Sequence, residues 1–227
     1  MCCYGCLDIV VKRSKKQVEH VPNFVPAEEF WAAAAYANRI KQETVDTITR
    51  HAEIKLALAN PDVITDEDRA FARDMMEYQR GRMLDLIAGK VTQYQRIVIS
   101  LFLQEEIDTN QSSCFTFGSS QPDYFQSYLL RKQRADTIAQ AKLTSQHVGK
   151  KGDRIEVRGE LLHVFPLRNS SYGKETNGHV LLGNDGNLYF YWHSMIDMQE
   201  GQTVTIRGTV LEHIADATTK LNRVRYI

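Results

Sequence analysis

The spacing of apolar residues changes once along this chain, near Gly149, and that change constrains the fold more than any other feature. Beyond it, Ile155, Val157, Gly159 and Leu161 alternate with Glu156, Arg158 and Glu160. A repeat of two is that of a strand with one buried face. Past Leu161 the apolar phase slips to Leu162 and Val164, as a bulged, sharply curved strand requires. The polar, glycine-containing stretch from Arg168 to Gly178 reads as a loop. Val180–Leu182 and Leu188–His193 flank Asn184-Asp185-Gly186-Asn187, a strong hairpin signal. A short connector covers Ser194 to Gln199, a fourth strand Thr203 to His213, and a fifth Asn222 to Ile227 after a loop at Ala215–Lys220.

Upstream the repeat is helical. Pro26 followed by Ala27-Glu28-Glu29 starts a helix well, since proline suits the first turn and acids the positive end of the helix dipole. Phe30, Ala33, Ala34, Ala37, Ile40, Thr44 and Ile48 continue it until Asn60-Pro61. The alanines at 32–35 allow close helix packing, within the chain or across a dimer. Thr65 caps a second helix, with Phe71, Met75, Met83, Leu86 and Ile87 as its stripe and Gly89 as its end. A third, from Thr92 to Ile107, is apolar nearly all round and is expected to be the most buried. Residues 108–122 read as a loop and Asp123–Ser145 as a fourth helix carrying Arg131, Lys132 and Arg134. Residues 1–25 form an extension with a possible strand at Leu7–Val11.

The expected class is therefore α+β: an extension over 1–25, a helical domain over 26–148, and a five-stranded antiparallel barrel over 149–227. Strand order, the long curved first strand and the connector after the third match the oligonucleotide/oligosaccharide-binding (OB) barrel; an SH3-like barrel is the alternative. The 227 residues are 43% apolar and 25% charged, so a packed core is expected. Lys plus Arg equals Asp plus Glu, at 28 each, which excludes a general polycation and confines any nucleic-acid binding to a local groove. No membrane-length apolar run and no secretory signal is visible, and a reducing cytoplasmic setting is expected.

Several motifs resemble barrels of bacteriophage-encoded proteins linked to DNA replication. They are Gly152-Asp153-Arg154-Ile155-Glu156-Val157, Leu188-Tyr189-Phe190-Tyr191-Trp192, Gly201 to Gly208, and Leu221 to Ile227. Helices followed by such a barrel also resemble the layout of uncharacterised phage proteins. The resemblance covers about a third of the chain well, through fold motifs and not catalytic signatures. It implies a viral replication or single-strand-binding context.

OB barrels bind along their second and third strands, between the first-to-second and fourth-to-fifth loops. In the third strand, Leu188, Phe190 and Trp192 are expected in the core and Tyr189, Tyr191 and His193 on the binding face, because leucine and phenylalanine cost more to expose. The opposing possibility is that both tyrosines pack against the helical domain. The expected site stacks bases on Tyr189, Tyr191 and Tyr172 and meets phosphates with Arg168, Lys174, Lys220, Arg223 and Arg225. The partner would be single-stranded DNA or RNA; the alternative is a module docking a replication or transcription protein. Cys3 and Cys6 have zinc-pair spacing but lack a second pair. Ser119 has no nucleophile elbow, and no phosphate loop or dinucleotide motif is present. A non-enzyme without metal or cofactor is expected.

Overall fold

The computed structural model describes residues 23–43, 50–166, 176–194, 198–214 and 216–227. The expected strand at Leu7–Val11 and the Cys3–Cys6 pair lie outside them. The chain divides into two compact units, with the division between Ser127 and Tyr128.

In the first unit, α1 (Ala27–Glu43) begins directly after β1 (Phe24–Pro26), as the Pro-Ala-Glu-Glu start predicts. It is followed by α2 (Arg50–Ala59), one 3-10 turn at Pro61–Val63, α3 (Asp66–Gly81), α4 (Met83–Ile87) and α5 (Gln93–Phe102). Thr65 builds the capping box expected of it: its hydroxyl accepts from Asp68 N, and Asp68 Oδ2 accepts from Thr65 N. The same carboxylate takes a fork from Arg39 at 3.0 and 2.9 Å. Thr92 caps α5 in the same manner with Gln95.

Two expectations are corrected here. The most buried helix is α1, not α5. Phe30, Trp31 and Ala32–Ala35 are almost fully enclosed, whereas Tyr94, Ile97 and Leu103 of the third-helix stretch stay largely exposed. Small alanines let α1 lie close against α2 and α3, and Trp31 stacks on Phe102 at 3.8 Å. The alanine run thus serves packing inside the unit.

Residues 112–122 are not a loop. A single helix, α6, runs Ser112–Thr144 with Pro122 inside it. Burial of Cys114 and Phe115 outweighs the local cost of a helical proline. Gly118 sits four residues before that ring, and a Cβ there would approach Phe30 Cζ to 3.0 Å. A short strand the sequence did not reveal, β2 (Glu106–Asp108), pairs antiparallel with β1.

In the second unit, residues 128–144 of α6 accompany a closed barrel. Its strands are β3 (Arg154–Pro166), β4 (Asn177–Gly183), β5 (Leu188–His193), β6 (Thr203–Ile214) and β7 (Thr218–Tyr226), in the order β3-β4-β5-β7-β6 with β6 returning to β3. The expectation of an all-antiparallel barrel is corrected: β5 and β7 run parallel. A ring of five strands cannot alternate direction throughout, because the number is odd, so one neighbouring pair must be parallel. The β3–β4 register shifts between Leu161 and His163, at the phase slip seen in the sequence. Leu161 consequently faces inward while Leu162 turns outward, where it joins Leu188 and Ala141 of α6. Residues 145–148 are tied to the barrel: Ser145 Oγ accepts from Leu188 N, and Val148 N donates to Thr219 Oγ1, both at 2.9 Å.

Candidate functional site

The side chains of β5 face opposite to expectation. Tyr189 and Tyr191 are 1% and 0% exposed and fill the barrel interior with Leu161, Leu181, Ile206 and Leu221. Neither can offer a ring face to a base. The assignment failed because both hydroxyls find partners inside. Tyr189 Oη donates to Asp185 Oδ2 at 2.6 Å, anchoring the β4–β5 turn, and Tyr191 Oη pairs with Tyr226 Oη at 3.0 Å. Burial and these hydrogen bonds push both phenols above their ordinary range. Once the hydroxyls are satisfied, the large rings are efficient core fillers. Leu188, expected in the barrel core, is instead on the outer side and escapes water beneath α6.

The inversion puts Phe190 and Trp192 on the outer face, and the bulge at Leu162 brings His163 and Phe165 to the same side. Phe165 and Phe190 lie nearly parallel, 6.2 Å between centroids; Phe190 and Trp192 meet edge to face at 6.1 Å; His163 stacks on Phe165 at 5.3 Å. Across the sheet, Phe165 and Trp192 both pair with Gly178 of β4. A Cβ at Gly178 would come within 2.6 Å of Phe165 Cζ, so the Phe165 ring needs a glycine beneath it. Trp192 is 53% exposed and the His163 side chain 52%, while Phe165 and Phe190 are half-buried. Sequence reasoning missed this row. The phase slip at Leu162 was the signal that could have disclosed Phe165.

Charged groups border the row. Lys220, opposite Phe190 in register, holds its Nζ 4.7 Å from the Trp192 ring centroid and donates to Glu212 Oε1. Its side chain is only 17% exposed, so it acts on the indole and Glu212 more than on solvent. Arg223 and Arg225 are exposed on β7. Asn222 is opposite Thr209 and Arg225 opposite Arg207, so Arg223 and Val224 together face Gly208. Arg223 takes φ +50° in this bulge, and the extra residue sends Val224 inward and leaves both arginines outside.

At the His163 end, Glu200 accepts from Arg134 Nη1 at 2.5 Å, His163 Nδ1 at 2.6 Å and Val164 N at 3.1 Å. Burial alone would raise the Glu200 carboxyl, but these donors hold it below the ordinary carboxylate range. An ionised Glu200 only accepts, so His163 donates to it through Nδ1. Arg131 and Lys132 are exposed on α6. Arg168, Tyr172 and Lys174 lie outside the described residues.

Inside the barrel, His179 is fully buried and stacks on Tyr191 at 4.9 Å. Neither ring nitrogen makes a hydrogen bond of normal geometry among the described residues. Among those residues no three His, Cys, Asp or Glu side chains gather as a metal site, and no helix is long and apolar enough to cross a membrane. No family model, curated protein or solved structure matches the chain.

Proposed function

We propose that the second unit is an OB-type barrel that holds single-stranded DNA on the outer face of β3, β4 and β5. The observation that carries this reading is the row Phe165–Phe190–Trp192 on one sheet face, its first two rings half-buried and Trp192 exposed, with His163 at one end and Lys220 toward the other; Arg223 and Arg225 follow Lys220 on β7. The order β3-β4-β5-β7-β6, with the long bulged β3 pairing to both β4 and β6, supports the OB assignment. Bases stack on aromatic faces without regard to sequence, at about 1–3 kcal/mol each, and cations follow the backbone.

The role is that of a non-enzymatic accessory factor in DNA replication within a host cytoplasm, as the resemblance to phage barrels implies. A second reading, docking of a replication or transcription protein, is favoured by one specific observation: Glu200 and Glu212 neutralise two of the cations bordering the row.

Fluorescence anisotropy of a labelled thymidine oligomer tests the choice. Trp192→Ala is expected to weaken binding by about 5- to 140-fold, the cost of one stacked base, with an unchanged melting temperature. Equal affinity in the variant and the native protein, or no binding at low salt, rejects the nucleic-acid reading and leaves protein docking.

A further inference from the structure

We propose that the helical unit holds a nucleotide-binding pocket of its own, formed by α3, α5 and α6. This rests on none of the barrel residues. A cavity of about 150 Å³ is lined by Gln79, Arg82, Tyr94, Gln95, Gln121 and Tyr124, among others. That volume is well below the several hundred Å³ of a drug-sized site and suits one heterocyclic ring system.

The chemistry of the lining selects the ring. Gln79 and Gln121 are 1% and 3% exposed. They form a relay in which Gln79 Nε2 donates to Gln121 Oε1 and Gln121 Nε2 donates to Tyr94 Oη, each at 3.2 Å. Gln79 Oε1 ends this relay with no hydrogen-bond partner among the described residues. Exchanging O and N in these amides changes which atom is unmet but does not remove the deficit. Buried amides are seldom left so, and a carboxamide with one unmet group suits a base edge carrying adjacent donor and acceptor, as glutamine suits adenine.

Tyr94 and Tyr124, 52% and 39% exposed, bring aromatic rings to the pocket for stacking. Among the described residues the lining has no acid, and Arg82 is its only charged residue. Half-buried and 5.9 Å from the Tyr78 ring centroid, Arg82 favours an anion, and its fork matches phosphate. Base, stacking and phosphate requirements together describe a nucleoside monophosphate unit, either free or within a strand.

The test is an NMR titration of the full chain, following the side-chain amides of Gln79 and Gln121 with adenosine 5′-monophosphate, then with adenosine. Saturable shifts are expected with both, the monophosphate binding about tenfold tighter through its charge-assisted contact. Arg82→Gln, a change outside the core, is expected to abolish that difference. An oligo-deoxyadenosine added to Trp192→Ala protein distinguishes the sources: shifts at Gln79 and Gln121 mean that the pocket takes bases from strands, and their absence confines it to free nucleotides. No shift with any of these probes, or an Arg82→Gln protein that still prefers the monophosphate, overturns the proposal. Since the amides read this pocket alone, failure here is distinct from failure of the barrel reading.

Discussion

Leu188-Tyr189-Phe190-Tyr191-Trp192-His193 offers no apolar contrast between its two faces, so the sequence could not say which side was buried. Side-chain hydropathy argued for leucine and phenylalanine inside. The decision rested on two tyrosine hydroxyls that reach Asp185 and Tyr226, contacts fixed by a turn and by the last strand. Tyr191→Phe is therefore expected to cost about 1 kcal/mol in urea unfolding and to leave oligonucleotide affinity unchanged. A binding defect in that variant would return Tyr191 to the site.

His179 gives a second residue-scale prediction. Burial holds its imidazole below the ordinary value of 6.5, and His193 pushes the same way, opposed only by a backbone contact at Asn177. Burial also lowers His193. The unfolded chain accordingly takes up protons before the barrel does. This contribution to stability is complete above about pH 6.5 and is lost as the pH falls through that value toward the lower folded-state one. Thermal melts should shift downward between pH 7.5 and pH 5.5, and His179→Phe should flatten the dependence. A melting temperature constant over that range contradicts the account.

At the scale of elements, signals contained within a few residues were legible. The Thr65 cap, the Asp185-Gly186 turn and the slip at Leu162 each depend on near neighbours, and each appears as read. Elements decided by distant packing were not. The Ser-rich stretch before Pro122 carries local breaker signals, yet Cys114 and Phe115 are buried and the segment is helical. The strand Glu106–Asp108 exists only through pairing with Phe24–Pro26. The β7 bulge also escaped notice, and it has a measurable consequence. A non-glycine residue at φ +50° is strained by roughly 1 kcal/mol. Arg223→Gly should therefore stabilise the barrel by up to about 1 kcal/mol in urea unfolding, yet weaken oligonucleotide binding through the lost cation. A variant with unchanged affinity would place Arg223 outside the site.

At the scale of the whole molecule, the 28 basic and 28 acidic residues limit the reach of bulk electrostatics. Attraction has to be local, and Arg223 and Arg225 are the exposed cations of β7, the strand that pairs with β5. With about two phosphates engaged, the logarithmic slope of affinity against salt should be near −1.4, shallow for a nucleic-acid binder. Stacking would then provide most of the binding. The chain contains two tryptophans, Trp31 enclosed in the helical unit and Trp192 half-exposed on the row, so stacking can be observed directly. A fluorescence titration with single-stranded DNA at low and raised salt should quench one tryptophan saturably, weaken only modestly with salt, and lose its response in Trp192→Ala. An emission spectrum that does not change with added single-stranded DNA, at low salt and saturating concentration, contradicts the claim that this face stacks bases.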